Sequence, residues 1–261
     1  MSAQGISCIC LTYGRWWYLE EAIDCFLRQE FGAENPDAVP RELIVVNDDP
    51  AQELRLADRQ NDCGMVRIVN LPARFESLND KFDYAVGLAR FPLICMWDDD
   101  DISLRSRLRV SSLLMEQTGA DYLAIGWHYA WNAGKPLEII HRGIHGGDCF
   151  RKDCYQRLDG SRGAGHNDQN FVGKVRKDPA TKYVVCDDPV AAQYIYRWGG
   201  IVAHNSAYSL DLATCMDHFA AEVQGDPRYR RGVIDLEPRQ KVNWQRMASD
   251  CLMVITKDGK I

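Results

Sequence analysis

Short apolar runs alternate with segments of helical periodicity through the first hundred positions of the chain. Four such runs lie at positions 6–11, 43–46, 66–69 and 92–97. Each has the length and continuity of a strand buried on both faces of a parallel sheet. Between them, apolar residues recur at helical spacing over positions 19–27 and again over 82–89. The alternation predicts an α/β fold with a doubly wound sheet and right-handed crossovers.

Beyond about residue 120 the pattern changes, and a mixed sheet is expected there. We predict strands at 121–131, 136–141 and 191–198, helices at 168–177 and 210–223, and a glycine-rich loop at 143–147. The last stretch has weak periodicity and is expected to be a tail folded over the body or an oligomer contact. We therefore divide one domain into two halves, 1–118 and 119–223, followed by a tail at 224–261.

Polar residues follow directly on three of the predicted strands. Thr12 follows the first, Asp48 the second, and four consecutive aspartates at 98–101 the fourth. In doubly wound sheets ligands bind beyond the carboxyl ends of the strands, so these side chains are expected to meet at one edge.

The four aspartates repel one another, and a divalent cation is the obvious compensation. In extended chain Asp98 and Asp100 face one side and Asp99 and Asp101 the other, which leaves one pair to hold the cation. Magnesium or manganese, held by few carboxylates and by phosphate oxygens, suits a diphosphate substrate. The competing interpretation is an acidic turn that caps a helix beginning near Leu104, with Asp101 or Ser103 as the cap.

Composition and charge place the chain among ordinary soluble enzymes. The apolar share is 46%, the charged share 26%, and the net charge −6, which does not favour binding of nucleic acid over the whole surface. The ten cysteines include no Cys-x-x-Cys pair and are expected to be buried thiols in a reducing compartment. We see no signal peptide and no run long enough to span a membrane, and we expect a cytoplasmic protein.

Three segments together resemble the ordered signature of family 2 glycosyltransferases of the GT-A fold. They are Cys-Leu-Thr-Tyr-Gly-Arg at 10–15, Val-Val-Asn-Asp-Asp at 45–49 and Met-Trp-Asp-Asp-Asp-Asp at 96–101. The resemblance covers about residues 5–110, and implies that 1–118 is the nucleotide-sugar-binding half and 119–223 the acceptor-binding, catalytic half.

The resemblance also implies roles for individual residues. Thr12 and Tyr13 line the nucleoside pocket, with Arg15 in the same motif, and Asp48 accepts a hydrogen bond from the base, commonly uracil. Asp98 and Asp100 form the Asp-x-Asp motif at the metal and the diphosphate, and Asp99 lies against the ribose. Lys81 falls where family members often place a basic residue near the nucleotide, and the alternative is a surface lysine on a helix.

For the catalytic half, the resemblance implies a general base at the head of a helix and a late histidine at the metal. The segment Gly-His-Asn-Asp-Gln-Asn-Phe at 165–171 is the best match to the first, which makes Asp168 the candidate base. Its alternative role is that of an acid in the first turn of a helix. His204 is the candidate third ligand, which would suit manganese, and an ordinary histidine at a strand end is the alternative.

We therefore expect an inverting glycosyltransferase of hexosyltransferase type, assisted by Mn²⁺ or Mg²⁺, that uses a UDP-sugar. The acceptor hydroxyl belongs to a glycan, a protein or a modified nucleic-acid base, and a homo-oligomer is possible. A nucleotidyltransferase-like enzyme and a non-catalytic sugar-nucleotide-binding module are the alternatives. A nucleotidyltransferase typically has a glycine-rich basic loop after the first strand, where positions 12–16 contain one glycine and one arginine.

Overall fold

The computed structural model describes residues 5–31, 39–57, 64–132, 135–141, 144–162, 167–198, 232–240 and 242–257. Within these ranges the strands are β1 (Ile6–Thr12), β2 (Arg41–Asn47), β3 (Glu53–Leu56), β4 (Val66–Asn70), β5 (Leu93–Met96), β6 (Ile102–Ser103), β7 (Tyr122–Ile125), β8 (Trp127–Asn132), β9 (Glu138–His141), β10 (Cys149–Arg151), β11 (Tyr183–Cys186), β12 (Tyr194–Trp198) and β13 (Val233–Leu236). The helices are α1 (Trp16–Leu27), α2 (Leu78–Gly87), α3 (Arg107–Thr118), α4 (Lys152–Arg157), α5 (Asn167–Lys177) and α6 (Trp244–Lys257).

The main sheet contains seven of these strands in the order β11-β7-β10-β5-β1-β2-β4. Its neighbouring strands are parallel except at β10, which runs antiparallel to both β5 and β7. From β1 the chain winds outward to β2 and β4 on one side, and it later returns to β5 on the other. The switch point therefore lies between β1 and β5, where doubly wound sheets bind their ligands. The prediction of a mixed α/β sheet is confirmed.

Apolar side chains cover both faces of the sheet, because the central strands are apolar at nearly every position. On one face, residues such as Cys8, Val45 and Cys95 pack against α1 and the C-terminal segment. On the other, residues such as Ile9, Ile44 and Phe150 pack against α2 and α5. A second sheet, β6-β12-β8-β9, is interleaved with the main one in chain order and brings β12 beside β6, directly after the aspartates.

Several predicted elements have different limits in the structure. The helix expected near Leu104 begins at Arg107, and its N-terminal flanking residue is Ser106, which makes no side-chain capping hydrogen bond. Asp101 and Ser103 are therefore not its caps, and that prediction was wrong. The segment predicted as one strand at 121–131 is two strands, which are interrupted at Gly126.

The remaining differences lie later in the chain. The strand expected at 191–198 begins at Tyr194, after a short 3₁₀ turn at Pro189–Ala191. Part of the glycine-rich segment, His145–Gly147, is a 3₁₀ turn. The helix predicted at 210–223 lies outside the described residues.

The described part of the tail folds over the body, as one of the two alternatives predicted. Its strand β13 pairs in parallel with β3, which the hydrophobic pattern had not revealed. Four of its side chains, Ile234, Leu236, Trp244 and Ala248, are buried in the same cluster as α1. No helix among the described residues is long and apolar enough to cross a membrane.

Candidate active site

The polar strand ends meet at one edge of the sheet, as predicted from the sequence. Thr12 is the last residue of β1, Asp48 follows β2, and Asp98 follows β5 two residues after the strand ends. All three strands are parallel and adjacent, since β1 pairs with both of the others. The chemistry is therefore concentrated at the switch point.

The four aspartates at 98–101, which we call the carboxylate turn, form a bend and are not extended. Asp99 and Asp100 both accept hydrogen bonds from Arg15, whereas Asp98 and Asp101 share the hydroxyl of Tyr194, which has one proton to donate and lies within hydrogen-bond distance of both. The four side chains therefore do not alternate between two sides, because alternation requires an extended backbone. The assignment of Asp98 and Asp100 to a metal ion stays a prediction.

Arg15 binds the carboxylate turn with three guanidinium nitrogens. Its Nε and Nη2 donate to the two oxygens of Asp99, and its Nη1 donates to Oδ2 of Asp100 at 2.6 Å. A two-point contact of this kind fixes both partners in orientation and is stronger than a neutral hydrogen bond. The Arg15 side chain is 20% exposed and that of Asp99 is 1% exposed, so the arginine lies between the acidic cluster and solvent.

Burial changes the ionisation of the turn. It raises the pKa of Asp99 to about 6, although Arg15 acts in the opposite direction. Burial also raises the pKa of Asp101 well above its ordinary value, with further contributions from the charges of Asp100 and Asp98. The protonated form of Asp101 is thereby favoured, which reduces the repulsion among four neighbouring carboxyl groups.

Asp48 and Lys81 form a buried ion pair beside the end of β1. The Lys81 Nζ lies 2.5 Å from Oδ1 of Asp48 and donates to the carbonyl oxygen of Thr12 at 2.6 Å. The other oxygen of Asp48 accepts a hydrogen bond from the Phe75 amide at 3.0 Å. Burial lowers the pKa of Lys81, against the opposing effect of Asp48. Lys81 is thus not a surface lysine: it ties α2 to the ends of β1 and β2.

Tyr13 lies directly beyond the end of β1 and is partly exposed. The guanidinium of Arg74, an exposed residue that the sequence had not singled out, lies over the Tyr13 ring at 4.3 Å from its centroid. An aromatic ring and a planar cation at this position form a surface on which a flat base can stack.

Two buried residues that the sequence did not assign to this site, Tyr194 and Arg107, support the carboxylate turn. Besides its contacts to Asp98 and Asp101, Tyr194 lies with its ring 5.2 Å from the guanidinium carbon of Arg107. Arg107 donates to Ser103 Oγ at 2.6 Å and to the carbonyl oxygens of Met96 and Gly146. Tyr194 lies in a predicted strand, but nothing in its local sequence marks its contact with a residue 96 positions away.

Gly146 packs against the same cluster more closely than any side chain could. A Cβ atom at this position would lie 2.1 Å from the Tyr194 hydroxyl oxygen and 2.2 Å from Oδ2 of Asp98. Glycine has no Cβ, and it therefore allows the backbone to come this close. The approach seen here is to Asp98.

Two predicted residues are described in part or not at all. Asp168 falls in the first turn of α5, so the helix head predicted there is present, but its side chain is outside the described part of the chain. His204 lies outside the described residues. Among the residues that are described, no group of three His, Cys, Asp or Glu side chains is arranged to hold a metal ion.

Comparison with known proteins gives no sequence match, since neither a family model nor a curated protein matches the chain. Its fold does match solved structures of S. aureus TarS. The fragment 1-349 matches with a TM-score of 0.52 and 16% identity over 74% of this chain and 60% of that one. The same fragment in complex with UDP-GlcNAc gives a TM-score of 0.56 at 16% identity, over 97% of this chain and 73% of that one. Its complex with UDP gives 0.52 at 16% identity, over 97% and 72%.

TarS is a family 2 glycosyltransferase, so the predicted resemblance to the GT-A type is confirmed for the fold. The chain spans 60% of the length of the unliganded TarS fragment.

Proposed function

We propose that the chain is an inverting glycosyltransferase that moves a sugar, of hexose type, from a UDP-sugar to an acceptor hydroxyl. The observation that carries this proposal is the carboxylate turn bound by Arg15 at the switch point of the sheet. Solved structures of the same fold hold UDP and UDP-GlcNAc, which supports a donor of that chemistry. The nucleotidyltransferase-like alternative lacks a comparable observation.

The nucleoside end of the donor is assigned to the ends of β1 and β2. Tyr13 and the Arg74 guanidinium over it offer stacking surface to the base. Asp48 accepts from Lys81 and from the Phe75 amide, and these two donors fix its orientation before a base arrives. Thr12, buried at the end of β1, and Asp99 complete the proposed pocket on the side of the ribose.

Asp98 and Asp100 would hold a Mn²⁺ or Mg²⁺ ion at the diphosphate. These cations take oxygen ligands and usually bind to one or two protein carboxylates together with phosphate oxygens and water. A pair of aspartates fits that demand without a third protein ligand from the described residues, and His204 is kept as a proposed additional ligand. When bound, the cation neutralises charge on the departing diphosphate.

Arg15 places a positive charge beside the carboxylate turn, where the diphosphate is proposed to bind. Its guanidinium lies at the opening of the turn, where the fork of donors that holds Asp99 and Asp100 matches the geometry of phosphate oxygens equally well. We propose that Arg15 contacts the diphosphate and stabilises the negative charge that accumulates on it during transfer.

The transfer step needs a base on the opposite side of the sugar. The acceptor oxygen forms a bond to the anomeric carbon while the bond from that carbon to the diphosphate oxygen breaks, and the electron pair leaves with UDP. Asp168, in the first turn of α5, is proposed to take the proton of the attacking hydroxyl. Helix α5 is anchored by Phe171, Val172 and Val175, which are buried in the core against the sheet.

A panel of nucleotides with and without Mn²⁺, measured by the shift in melting temperature, tests the proposal. UDP is expected to stabilise the chain more when Mn²⁺ is present, by the mass action of a ligand that binds the folded state. A preference for GDP or CDP would overturn the assignment of Asp48, and no response to any nucleotide would refute the function. UDP binding without UDP release from any UDP-sugar would favour a binding module.

A further inference from the structure

One buried residue of β12, Arg197, makes hydrogen bonds to the carboxylate turn. Its backbone N–H donates to Oδ1 of Asp101 at 2.7 Å, and its Nε donates to the carbonyl oxygen of Asp100. Arg197 is 2% exposed. A single residue therefore fixes both a side chain and the main chain of the turn on which the proposed donor site depends.

A buried guanidinium requires a counter-charge, and Glu21 of α1 supplies it. Oε2 of Glu21 lies 2.6 Å from Nη1 of Arg197, and both side chains are 3% exposed. The Tyr18 ring, one turn earlier on α1, lies 4.8 Å from the same guanidinium. Removal of one partner from a buried pair of this kind leaves an uncompensated charge, so the position of Arg197 depends on Glu21.

Glu21 is in turn bound by the C-terminal helix. Its Oε1 accepts a hydrogen bond from the indole N–H of Trp244 at 3.3 Å, and the neighbouring Glu20 accepts one from the Glu237 amide at 2.8 Å. Trp244 is 2% exposed and packs edge-on against Trp131 at 5.4 Å between ring centroids. The segment at 232–257 is thus joined to α1 at two consecutive glutamates.

We propose that Trp244, Glu21 and Arg197 form a buried relay that positions the carboxylate turn for the donor diphosphate. The three are positioning residues, since they act through Asp100 and Asp101 and not on the substrate. The C-terminal helix α6 then helps to position the donor site, although it follows the acceptor half in sequence. This inference rests on the proposed function.

Glu21→Gln is the first test, because it removes the charge and keeps the shape. We expect the dissociation constant for UDP, measured by isothermal titration with Mn²⁺, to rise about tenfold, the lower end of the effect seen when residues that support a metal site without touching the metal are replaced. Glu42→Gln is the matched control. Glu42 is also buried and pairs with Arg90 at 2.8 Å, but it is the second residue of β2 and lies at the N-terminal ends of the strands, opposite the carboxylate turn.

Trp244→Phe is the second test, and it keeps the proposal testable if the Glu21 variant fails to fold. It removes the indole N–H while an aromatic ring remains against Trp131. We expect weaker UDP binding by several-fold, with Trp127→Phe as the control, since the Trp127 indole donates instead to the exposed Asp187. Melting temperature is recorded for all four variants.

Loss of UDP affinity in the Glu21 and Trp244 variants, with the two controls binding as the wild type, supports the relay. Wild-type affinity in both relay variants overturns it. Equal losses in relay and control variants that follow the loss of melting temperature also overturn it, since they indicate general destabilisation. If the wild type itself binds no UDP, the proposed function fails. If the wild type and both relay variants bind UDP equally well, only the relay fails.

Discussion

Gly146→Ala adds one methyl group at the most crowded point of the candidate site. The new Cβ would lie 2.1 Å from the Tyr194 hydroxyl oxygen and 2.2 Å from Oδ2 of Asp98. Real Cβ contacts essentially never fall under 3.0 Å, so the two sides must separate by about 1 Å. Tyr194 is buried and hydrogen-bonded to two carboxylates, and Gly146 itself accepts a hydrogen bond from Arg107, which leaves no flexible side chain to yield.

Two effects of different size follow from this displacement. Overpacking of a well-packed site typically costs about 1–3 kcal/mol of folding free energy. A misplacement of about 1 Å at reacting groups typically costs about 100-fold in kcat, or about 2.7 kcal/mol of activation free energy. We therefore expect Gly146→Ala to remain folded with a lower melting temperature and to lose about two orders of magnitude in the rate of UDP release from a UDP-sugar.

The matched control is Gly87→Ala, the same change at the exposed end of α2. A Cβ there has no atom within 4 Å, so no clash is expected. This variant should keep the wild-type rate and gain up to about 1 kcal/mol of stability, since alanine restricts the unfolded chain. Urea unfolding gives the free energies, and steady-state UDP release gives kcat. Wild-type kcat and stability in Gly146→Ala would refute the packing described around Asp98.

Three further substitutions test the other parts of the site. Arg15→Lys loses the fork that binds Asp99 and should weaken UDP binding by about tenfold in isothermal titration. Lys81→Met leaves Asp48 buried without its partner and should lower the free energy of unfolding by about 3–5 kcal/mol in urea. Asp168→Asn removes the proposed base, and should lower kcat by about 10²–10⁴-fold while the UDP dissociation constant stays unchanged.

Each of these predictions has an outcome that contradicts it. Arg55→Met breaks an exposed ion pair with Glu53 and should cost less than about 1 kcal/mol, and a similar small loss in Lys81→Met would argue against a buried pair. Unchanged UDP affinity in Arg15→Lys would remove Arg15 from the donor site. A proportionate loss of UDP binding in Asp168→Asn would assign that residue to the donor and not to the proton transfer.

The central strands could be predicted from sequence because burial on both faces leaves a continuous apolar run. Such runs identify β1, β2 and β5, and the polar residues that follow them then identify the binding edge. Strands β10 and β13 were missed because they lack such a run: β10 has three residues, and β13 contains Asp235. Short strands are stabilised by the neighbours they pair with, and local sequence carries little of that information.

The internal geometry of the site was less predictable than its location. The expected alternation of the four aspartate side chains assumed an extended chain, whereas Arg15 and Tyr194 hold the turn in another shape through contacts more than 80 positions apart. One local signal was available for the missed relay. Arg197 is a charged residue inside the predicted strand at 191–198, and a charge in such a run must be paired when it is buried.

UDP release from a set of UDP-sugars, followed with and without Mn²⁺ in the wild type and in Asp100→Asn, tests the account most directly. Water serves as the acceptor, so the acceptor need not be known. We predict release by the wild type that depends on Mn²⁺ and falls by at least about tenfold in the variant, since Asp100 is proposed to hold the cation. Equal release by wild type and variant, or no release from any UDP-sugar by a wild type that is folded, would contradict the assignment of the carboxylate turn to sugar transfer.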